Sequence, residues 1–298
     1  MSKSESHSRL HIWILAARPR TLWAAVAPVM IGTAIAIDSG GFHLWSSMAA
    51  LLAAVFIQIG TNYANDYYDF KKGADSENRL GPTRVTQAGL VAPHHVKNAA
   101  LIAFALAFII GIYLVYRGGW PIVIIGLSSI AFGILYTAGP FALGYQGLGE
   151  IFVLIFFGPV AVGGTYYVQT LNISWPVLIA GLSPGMISTG ILTINNLRDI
   201  ASDTTAGKRT LSVRFGSAYS KYQYACVIFI AAIIPLILWL ENDSHPYAVA
   251  AFVILAAALP AIKKVFTYQS AEELNKVLEQ TGRLLLLYGL LFSIGWLL

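Results

Sequence analysis

Long apolar runs separated by short polar stretches are the dominant pattern along this chain. A helix that crosses a bilayer needs about 20 mostly apolar residues, and runs of about that length recur through most of the sequence. The pattern predicts nine membrane-spanning helices, at residues 21–37, 45–64, 98–116, 120–138, 148–169, 174–196, 222–240, 246–262 and 283–298. We therefore expect one all-α integral membrane domain over residues 1–298, with residues 1–20 as a short interfacial segment.

Composition supports the same class of protein. Of the 298 residues, 57% are hydrophobic and only 11% are charged, and the mean hydropathy is +0.67. Soluble domains carry roughly 25% charged residues. The single cysteine, Cys226, excludes an internal disulfide and a cysteine-based metal site.

The distribution of basic residues predicts the orientation. Loops on the cytoplasmic side of a membrane carry an excess of lysine and arginine. With nine helices, all of the 19 lysines and arginines except Arg117 fall on the side of the N-terminus. The other side keeps Arg117 with acids such as Asp38 and Glu241. The N-terminus is therefore predicted to be cytoplasmic and the C-terminus outside, and the net charge of +5 reflects topology rather than nucleic-acid binding.

Two polar clusters occur where predicted helices 2 and 6 end, on the cytoplasmic side. The segments are "NYANDYYD" and "NNLRDIASD". Their polar residues recur at helical spacing, within arcs of about 60° and about 80° of one helix face. These residues are Asn62, Asp66 and Asp69 in the first cluster, and Asn195, Asp199 and Asp203 in the second. Because four helices separate the clusters, the two halves have the same orientation, as in a parallel internal repeat.

Carboxylates in a membrane protein are costly and usually functional. Oxygen ligands without cysteine or histidine indicate a hard cation, and Mg²⁺ commonly bridges carboxylates to phosphate oxygens. The loops that follow the clusters supply complementary positive charge: Lys71, Lys72, Arg79, Arg84, Lys208 and Arg209. We interpret the pattern as a magnesium–diphosphate site whose leaving group is attached to a long apolar chain. An allylic chain would leave a carbocation for an electron-rich aromatic acceptor to capture.

Both motifs resemble those of the UbiA superfamily of intramembrane prenyltransferases, and the resemblance covers essentially the whole chain. It implies nine helices around a central cavity and a requirement for Mg²⁺. The segments "NYANDYYDFKKGAD", "RLGPTRVTQAGLV" and "LYTAGPFALGYQGLGEIFVLIFFGPVAVGGTYYVQ" are most similar to the branch that prenylates 1,4-dihydroxy-2-naphthoate. That branch implies transfer from a polyprenyl diphosphate with loss of CO₂ and diphosphate, giving demethylmenaquinone in menaquinone biosynthesis. It also implies a site on the cytoplasmic side of the bacterial inner membrane, in contact with membrane lipid.

The resemblance also implies roles for individual residues. The metal and diphosphate would be oriented by Asn62, Asp66, Asp69, Asn195, Asp199 and Asp203, with the four aspartates as the catalytic acids. Direct diphosphate contacts would come from Lys71, Arg84, Lys208 and Arg209. The first motif departs from the general family pattern because Phe70 stands where a four-residue spacing after Asp66 would place an acid. The sequence therefore leaves open whether Asp69 or Asp75 completes the first metal site.

The aromatic acceptor has four candidate contacts. Three of them lie in the connection "YTAGPFALGYQGLGE", which is uncharged up to its final glutamate: Tyr136, Tyr145 and Glu150. The glycines and proline of this connection are also typical of a tight turn with no role in binding. Glu150 opens an apolar helix, where an acid could bind a naphthol hydroxyl or accept its proton. Arg20 could pair with the carboxylate of the acceptor or simply anchor the first helix.

Three other functions fit parts of the pattern. A related prenyltransferase could use 4-hydroxybenzoate, homogentisate or a tetrapyrrole. A CDP-alcohol phosphotransferase would need a continuous Asp-Gly-x-x-Ala-Arg run with two further aspartates, which this sequence lacks. A cation-coupled transporter would place its acids near the membrane midplane, whereas these acids lie at predicted helix ends.

Overall fold

The computed structural model describes residues 8–74, 80–242 and 244–298, and helix is the only regular secondary structure in these ranges. The helices are α1 Arg9–Ala17, α2 Trp23–Asp38, α3 Leu44–Lys71, α4 Pro93–Gly118, α5 Trp120–Leu135, α6 Gly149–Ile155, α7 Ala161–Thr170, α8 Trp175–Arg198, α9 Ile200–Thr205, α10 Leu211–Asn242, α11 Ile254–Thr267 and α12 Leu274–Leu297. A π-helical turn, Phe156–Val160, joins α6 to α7. Short 3₁₀ turns occur at Pro19–Thr21, Leu143–Tyr145, Pro246–Val253 and Ala271–Glu273. The all-α prediction is confirmed for the described residues.

Seven helical segments of the described chain are long and apolar enough to cross a membrane. They are Leu44–Lys71, Pro93–Gly118, Gly149–Thr170, Trp175–Arg198, Leu211–Glu241, Pro246–Thr267 and Ala271–Leu297. An eighth is possible if Arg9–Thr21 and Trp23–Asp38, which meet at a bend of 51°, form one span. Helix α5 is apolar but has only 16 residues. The protein is thus a multi-pass membrane protein, with seven or eight candidate spans by length and composition.

Several predicted helix ends were misplaced. Helix α3 continues to Lys71 instead of ending at residue 64, and α12 begins at Leu274 instead of 283. Helix α10 begins at Leu211 instead of 222, with a kink at Gly216, whose φ of 80° and ψ of 177° are not helical. In contrast, α5 ends at Leu135, before the predicted residue 138. Hydropathy marks only the apolar part of a span, whereas the backbone hydrogen bonds of a helix continue into its polar ends.

The buried side chains of the described residues form one large core and two smaller ones. The large core joins α2, α7, α8, α10, α11 and α12. One smaller core joins α1, α3 and α4, and the other joins α3, α4, α5 and α7. Gly158 lies where the α6–α7 segment crosses α8, and a Cβ atom there would stand 2.7 Å from the carbonyl oxygen of Gly181. Small residues of this kind let helix backbones approach closely in membranes. The crossing fixes the start of α6 against the polar end of α8.

The helix ends that carry the two motifs lie at the same end of the bundle. Asn275, near the start of α12, donates through Nδ2 to the Leu80 carbonyl oxygen at 2.8 Å and accepts from Arg198 Nη1 at 2.9 Å. These bonds link the segment after α3, the end of α8 and the start of α12. At the other end, His245 Nε2 lies 3.4 Å from Asp38 Oδ2. The motifs are therefore neighbours, as their side assignment predicted.

Candidate active site

The first polar motif lies on the last turns of α3, with Asn62, Asp66 and Asp69 all buried. Asn62 donates through Nδ2 to the Ala17 carbonyl oxygen at 2.9 Å and to Thr21 Oγ1 at 3.0 Å, which ties α3 to the segment before α2. Asp66 accepts from the backbone N–H groups of the segment that follows α3, through Oδ2 from Val85 at 3.1 Å and through Oδ1 from Thr86 at 3.3 Å. The helical spacing predicted for this motif is confirmed.

Asp69 is the most heavily contacted acid of the first motif. Its Oδ2 accepts from Arg84 Nη2 at 2.6 Å, and its Oδ1 accepts from the Tyr145 hydroxyl at 2.7 Å. Asp69 therefore joins α3 to both of the connections that follow α3 and α5. Asp75, the alternative acid for this site, and Arg79 lie outside the described residues.

The second motif is not one continuous helical face, which corrects the predicted i, i+4, i+8 arc. Helix α8 ends at Arg198, Asp199 adopts φ −97° and ψ 10°, and Asp203 lies on the separate short helix α9. Arg198 donates two hydrogen bonds to Asp199 in a bidentate ion pair, from Nε to Oδ1 at 2.8 Å and from Nη2 to Oδ2 at 2.6 Å. Arg198 also donates to Asn195 Oδ1 at 2.7 Å. Adjacent side chains on a regular helix do not face each other. The turn that interrupts the helix therefore lets Arg198 reach its neighbour Asp199.

Lys208 joins the two motifs. Its ammonium nitrogen lies 3.3 Å from Asp203 Oδ1 and 3.9 Å from Asp69 Oδ1. The same nitrogen lies 4.8 Å from the centre of the Tyr145 ring, and Lys72 Nζ lies 4.4 Å from it. Burial raises the pKa of the Asp203 carboxyl, and the Lys208 charge opposes that shift. Because Lys208 touches an acid of each motif, the motifs form one site.

The donor set fits a hard cation. Four carboxylates are buried at this end of the bundle, with exposed fractions of 9% or less: Asp66, Asp69, Asp199 and Asp203. Asp69 and Asp203 share the Lys208 ammonium, and Asp69 is also paired with Arg84. Within the described residues, no three acids or histidines converge closely enough to hold a metal by themselves. Oxygen donors of this kind suit Mg²⁺, which keeps several waters and completes its shell with substrate phosphate oxygens.

The four residues expected to bind diphosphate occupy different positions. Lys208 lies at the junction of the motifs, and Arg84 is buried against Asp69. Lys71 is exposed at the end of α3. Arg209 is exposed as well, and its backbone N–H donates to the Tyr145 carbonyl oxygen at 2.8 Å. The structure thus brings Lys208 and Arg84 into direct contact with the acids and places Lys71 and Arg209 on the surface of this end.

An apolar cavity of about 510 Å³ lies between α2, α3, α4, α5 and the α6–α7 segment. Its lining is almost entirely aliphatic and aromatic, with few polar residues, among them Gln58, Thr61 and Tyr136. Tyr136 follows the end of α5 and lines the cavity, and its carbonyl oxygen accepts from the backbone N–H of Gly144 at 3.0 Å. The residue after Gly144 is Tyr145, whose hydroxyl binds Asp69. Tyr136 therefore marks the boundary between the apolar cavity and the charged site.

The four residues expected to contact an aromatic acceptor separate into three groups. Tyr136 and Glu150 lie beside the cavity boundary, and Glu150 Oε1 accepts from Asn196 Nδ2 at 2.9 Å. Tyr145 is bound to Asp69 through its hydroxyl. Arg20 lies on the surface, where Nη1 pairs with Glu279 Oε2 at 3.0 Å. The structure thus pairs Arg20 with α12 and not with an acid of either motif.

Three contributors to this end were missed in the sequence. Arg198 neutralises Asp199, Asn196 holds Glu150, and Asn275 binds Arg198 from α12. A signal existed for the first two, because "NNLRD" places a base and a second amide inside the motif itself. Nothing local distinguishes Asn275, which lies 77 positions from its partner Arg198.

The fold is a helical bundle that faces lipid, and its buried acidic site lies beside an apolar cavity. These features define a class of membrane protein that can bind a charged group attached to an apolar chain. Comparison with known proteins agrees: the chain belongs to the UbiA prenyltransferase family, which it matches over residues 25–291. The family resemblance of the two motifs is thereby confirmed.

Individual relatives refine this assignment. A protein of Mycobacterium tuberculosis named 1,4-dihydroxy-2-naphthoate octaprenyltransferase is 38% identical, over 93% of this chain and 94% of that relative. A protein of the same name from Escherichia coli is 35% identical, over 97% of this chain and 96% of that relative. The structure of a UbiA homologue from Archaeoglobus fulgidus bound to GPP and Mg²⁺ superposes with a TM-score of 0.68 at 14% identity, covering 95% of this chain and 99% of that one. This last similarity establishes the fold alone.

Proposed function

We propose that this chain transfers a polyprenyl group from polyprenyl diphosphate to 1,4-dihydroxy-2-naphthoate in a Mg²⁺-dependent reaction of menaquinone biosynthesis. The products are diphosphate, CO₂ and the prenylated naphthoquinol, which is the reduced form of demethylmenaquinone. The observation that carries the proposal is the junction at Tyr136, which lines an apolar cavity of about 510 Å³ and is hydrogen-bonded to the connection that binds Asp69. A prenyl diphosphate needs both environments within one molecule.

The proposed topology has nine spans in a single domain over residues 1–298, in the bacterial cytoplasmic (inner) membrane. The N-terminus and the active site face the cytoplasm, and the C-terminus faces outside. The basic residues support this orientation, since all but Arg117 follow the side of the N-terminus. The 16 residues of α5 extend about 24 Å, and local bilayer thinning accommodates short spans of this kind.

The charged end of the bundle would bind the diphosphate. The acids Asp66, Asp69, Asp199 and Asp203, with the amides Asn62 and Asn195, would hold Mg²⁺. When bound, the metal would neutralise charge on the diphosphate and improve it as a leaving group. Lys71, Arg84, Lys208 and Arg209 would contact the phosphate oxygens, since cations favour hydrogen bonds to phosphate.

The prenyl chain would occupy the apolar cavity, the central cavity expected for the family. The C–O bond to diphosphate breaks with its electron pair leaving on the diphosphate, and the allylic carbon then forms a C–C bond to the ring carbon that bears the carboxylate. That carbon loses CO₂, and the electron pair of the broken bond restores the aromatic ring. Tyr136, Tyr145 and Arg20 are the proposed ring contacts. Glu150 is the proposed acceptor of a naphthol proton, which it returns to the naphthol oxygen once CO₂ has left.

A direct assay tests this function. The purified chain in lipid nanodiscs receives polyprenyl diphosphate, Mg²⁺ and 1,4-dihydroxy-2-naphthoate labelled with ¹⁴C in its carboxyl group. We expect labelled CO₂ and prenylated naphthoquinol in equal amounts, and neither product in the presence of a chelator. Parallel reactions contain 4-hydroxybenzoate or homogentisate in place of the naphthoate. Product from one of these acids, with none from the naphthoate, would show that the acceptor is wrong.

A further inference from the structure

The Lys208 ammonium occupies the space between the two motifs. It lies 3.3 Å from Asp203 Oδ1 and 3.9 Å from Asp69 Oδ1, and its side chain is only 15% exposed. Two buried carboxylates repel each other and carry a large desolvation cost unless positive charges lie nearby. Lys208 supplies such a charge to both acids, and Arg84 supplies a second one to Asp69 alone.

The other two internal cations of the site are held more firmly. The Arg84 guanidinium is 7% exposed and lies 2.6 Å from Asp69 Oδ2. The Arg198 guanidinium is fully buried and binds Asp199 in bidentate fashion. Lys208, in contrast, makes longer contacts through a point charge on a flexible stem, a group that readily exchanges partners. Of these three cations, Lys208 is the one that can leave its acids at the smallest cost.

We propose that Lys208 is an internal counter-ion that competes with the divalent metal for Asp69 and Asp203. While Lys208 rests between these carboxylates, a metal binds them weakly. A diphosphate offers the ammonium alternative oxygen partners, so its arrival draws Lys208 away from the two acids and opens the space between them to the metal. Metal and diphosphate therefore bind with positive coupling, and the site does not hold a metal permanently. This inference rests on the proposed function, because it assigns an order to the binding of its two ionic components.

Metal affinity, measured without turnover, tests the inference. The full-length protein in nanodiscs is titrated with Mn²⁺, and free Mn²⁺ is counted by electron paramagnetic resonance. Without diphosphate, Lys208→Met should bind Mn²⁺ about 10-fold more tightly than the wild type, within the usual range of coupling between sites. Lys208→Arg, which keeps a cation in place, should retain the weak binding.

Lys72→Met provides the matched control. Lys72 lies against the same Tyr145 ring and interacts with Asp69 through space, but its Nζ is hydrogen-bonded to the Gly139 carbonyl oxygen at 2.8 Å. Its removal should change Mn²⁺ affinity much less than that of Lys208. Unchanged or weaker binding by Lys208→Met would overturn the inference, and so would an equal gain in Lys72→Met, which would indicate a general charge effect.

A second measurement uses a geranyl thiodiphosphate that ionises slowly. In the wild type it should tighten Mn²⁺ binding by about 5- to 150-fold, and in Lys208→Met by clearly less. Should Lys208→Met not purify in folded form, Lys208→Gln gives the same comparison with a neutral polar side chain. A wild-type protein that forms no prenylated naphthoquinol, yet shows Lys208-dependent metal affinity, would contradict the proposed function and support the counter-ion.

Discussion

Replacement of Arg198 by methionine should destabilise the fold strongly. The Arg198 guanidinium is fully buried and donates four hydrogen bonds of 2.6–2.9 Å: two to Asp199, one to Asn195 and one to Asn275. Removing one partner of a buried ion pair costs about 3–5 kcal/mol, because the remaining charge stays buried without compensation. We expect Arg198→Met to lower the free energy of unfolding by about 4 kcal/mol.

Arg20→Met is the matched control, since Arg20 also pairs with an acid. The Arg20 side chain is 74% exposed, and its partner Glu279 also binds Arg283. Exposed pairs contribute about 0–1 kcal/mol, so this variant should lose less than about 1 kcal/mol. Unfolding of both variants in bicelles, followed by circular dichroism during SDS titration, gives the comparison.

A double substitution separates the pair from the rest of the network. Asp199→Asn added to Arg198→Met removes the buried negative charge, so the double variant should be more stable than Arg198→Met alone. Equal losses in Arg198→Met and Arg20→Met, or no recovery in the double variant, would refute the argument that a buried charge dominates this end of the bundle.

Three further predictions concern catalysis. Asp66→Ala should lower prenyl transfer by at least about 100-fold, the usual scale for loss of one electrostatic contact to a transferring group, while immunoblots show unchanged amounts in the membrane. Asp199→Ala should lower transfer as far, and it should also lower the amount in the membrane, because Arg198 loses its buried partner. Substantial activity in either variant would count against the metal assignment. Gly126→Phe should fill the cavity, because Gly126 lines it and has open space at its Cβ position. Mass spectrometry of the lipid product should then show a preference for shorter prenyl donors. An unchanged preference would place the prenyl chain outside this cavity. Glu150→Gln keeps an oxygen that can accept from Asn196 but removes the carboxylate base. Transfer to the naphthoate should fall by about 100-fold or more, while release of diphosphate in the absence of acceptor persists. Full transfer activity would exclude Glu150 as the base.

The part of this protein that is predictable from sequence is the part governed by contact with lipid. A backbone in hydrocarbon must satisfy its hydrogen bonds within each segment, so apolar runs of sufficient length have to be helices. Hydropathy therefore identified the helical segments. The spacing of Asn62, Asp66 and Asp69 on α3 follows from helical periodicity. The basic residues likewise assigned both motifs to one side.

The internal connections of the site were decided only by the tertiary structure. The hydroxyl of Tyr145, a predicted contact of the aromatic ring, binds Asp69 76 positions away, and Arg84, a predicted contact of diphosphate, binds the same acid. The second motif bends after Arg198, which a uniform helical spacing could not anticipate. Hydropathy specifies that a segment is helical and buried in lipid, but not how each helix is rotated about its axis or which loop closes over its end. Those choices depend on packing between distant segments, and they determine that Lys208 lies between the two acids.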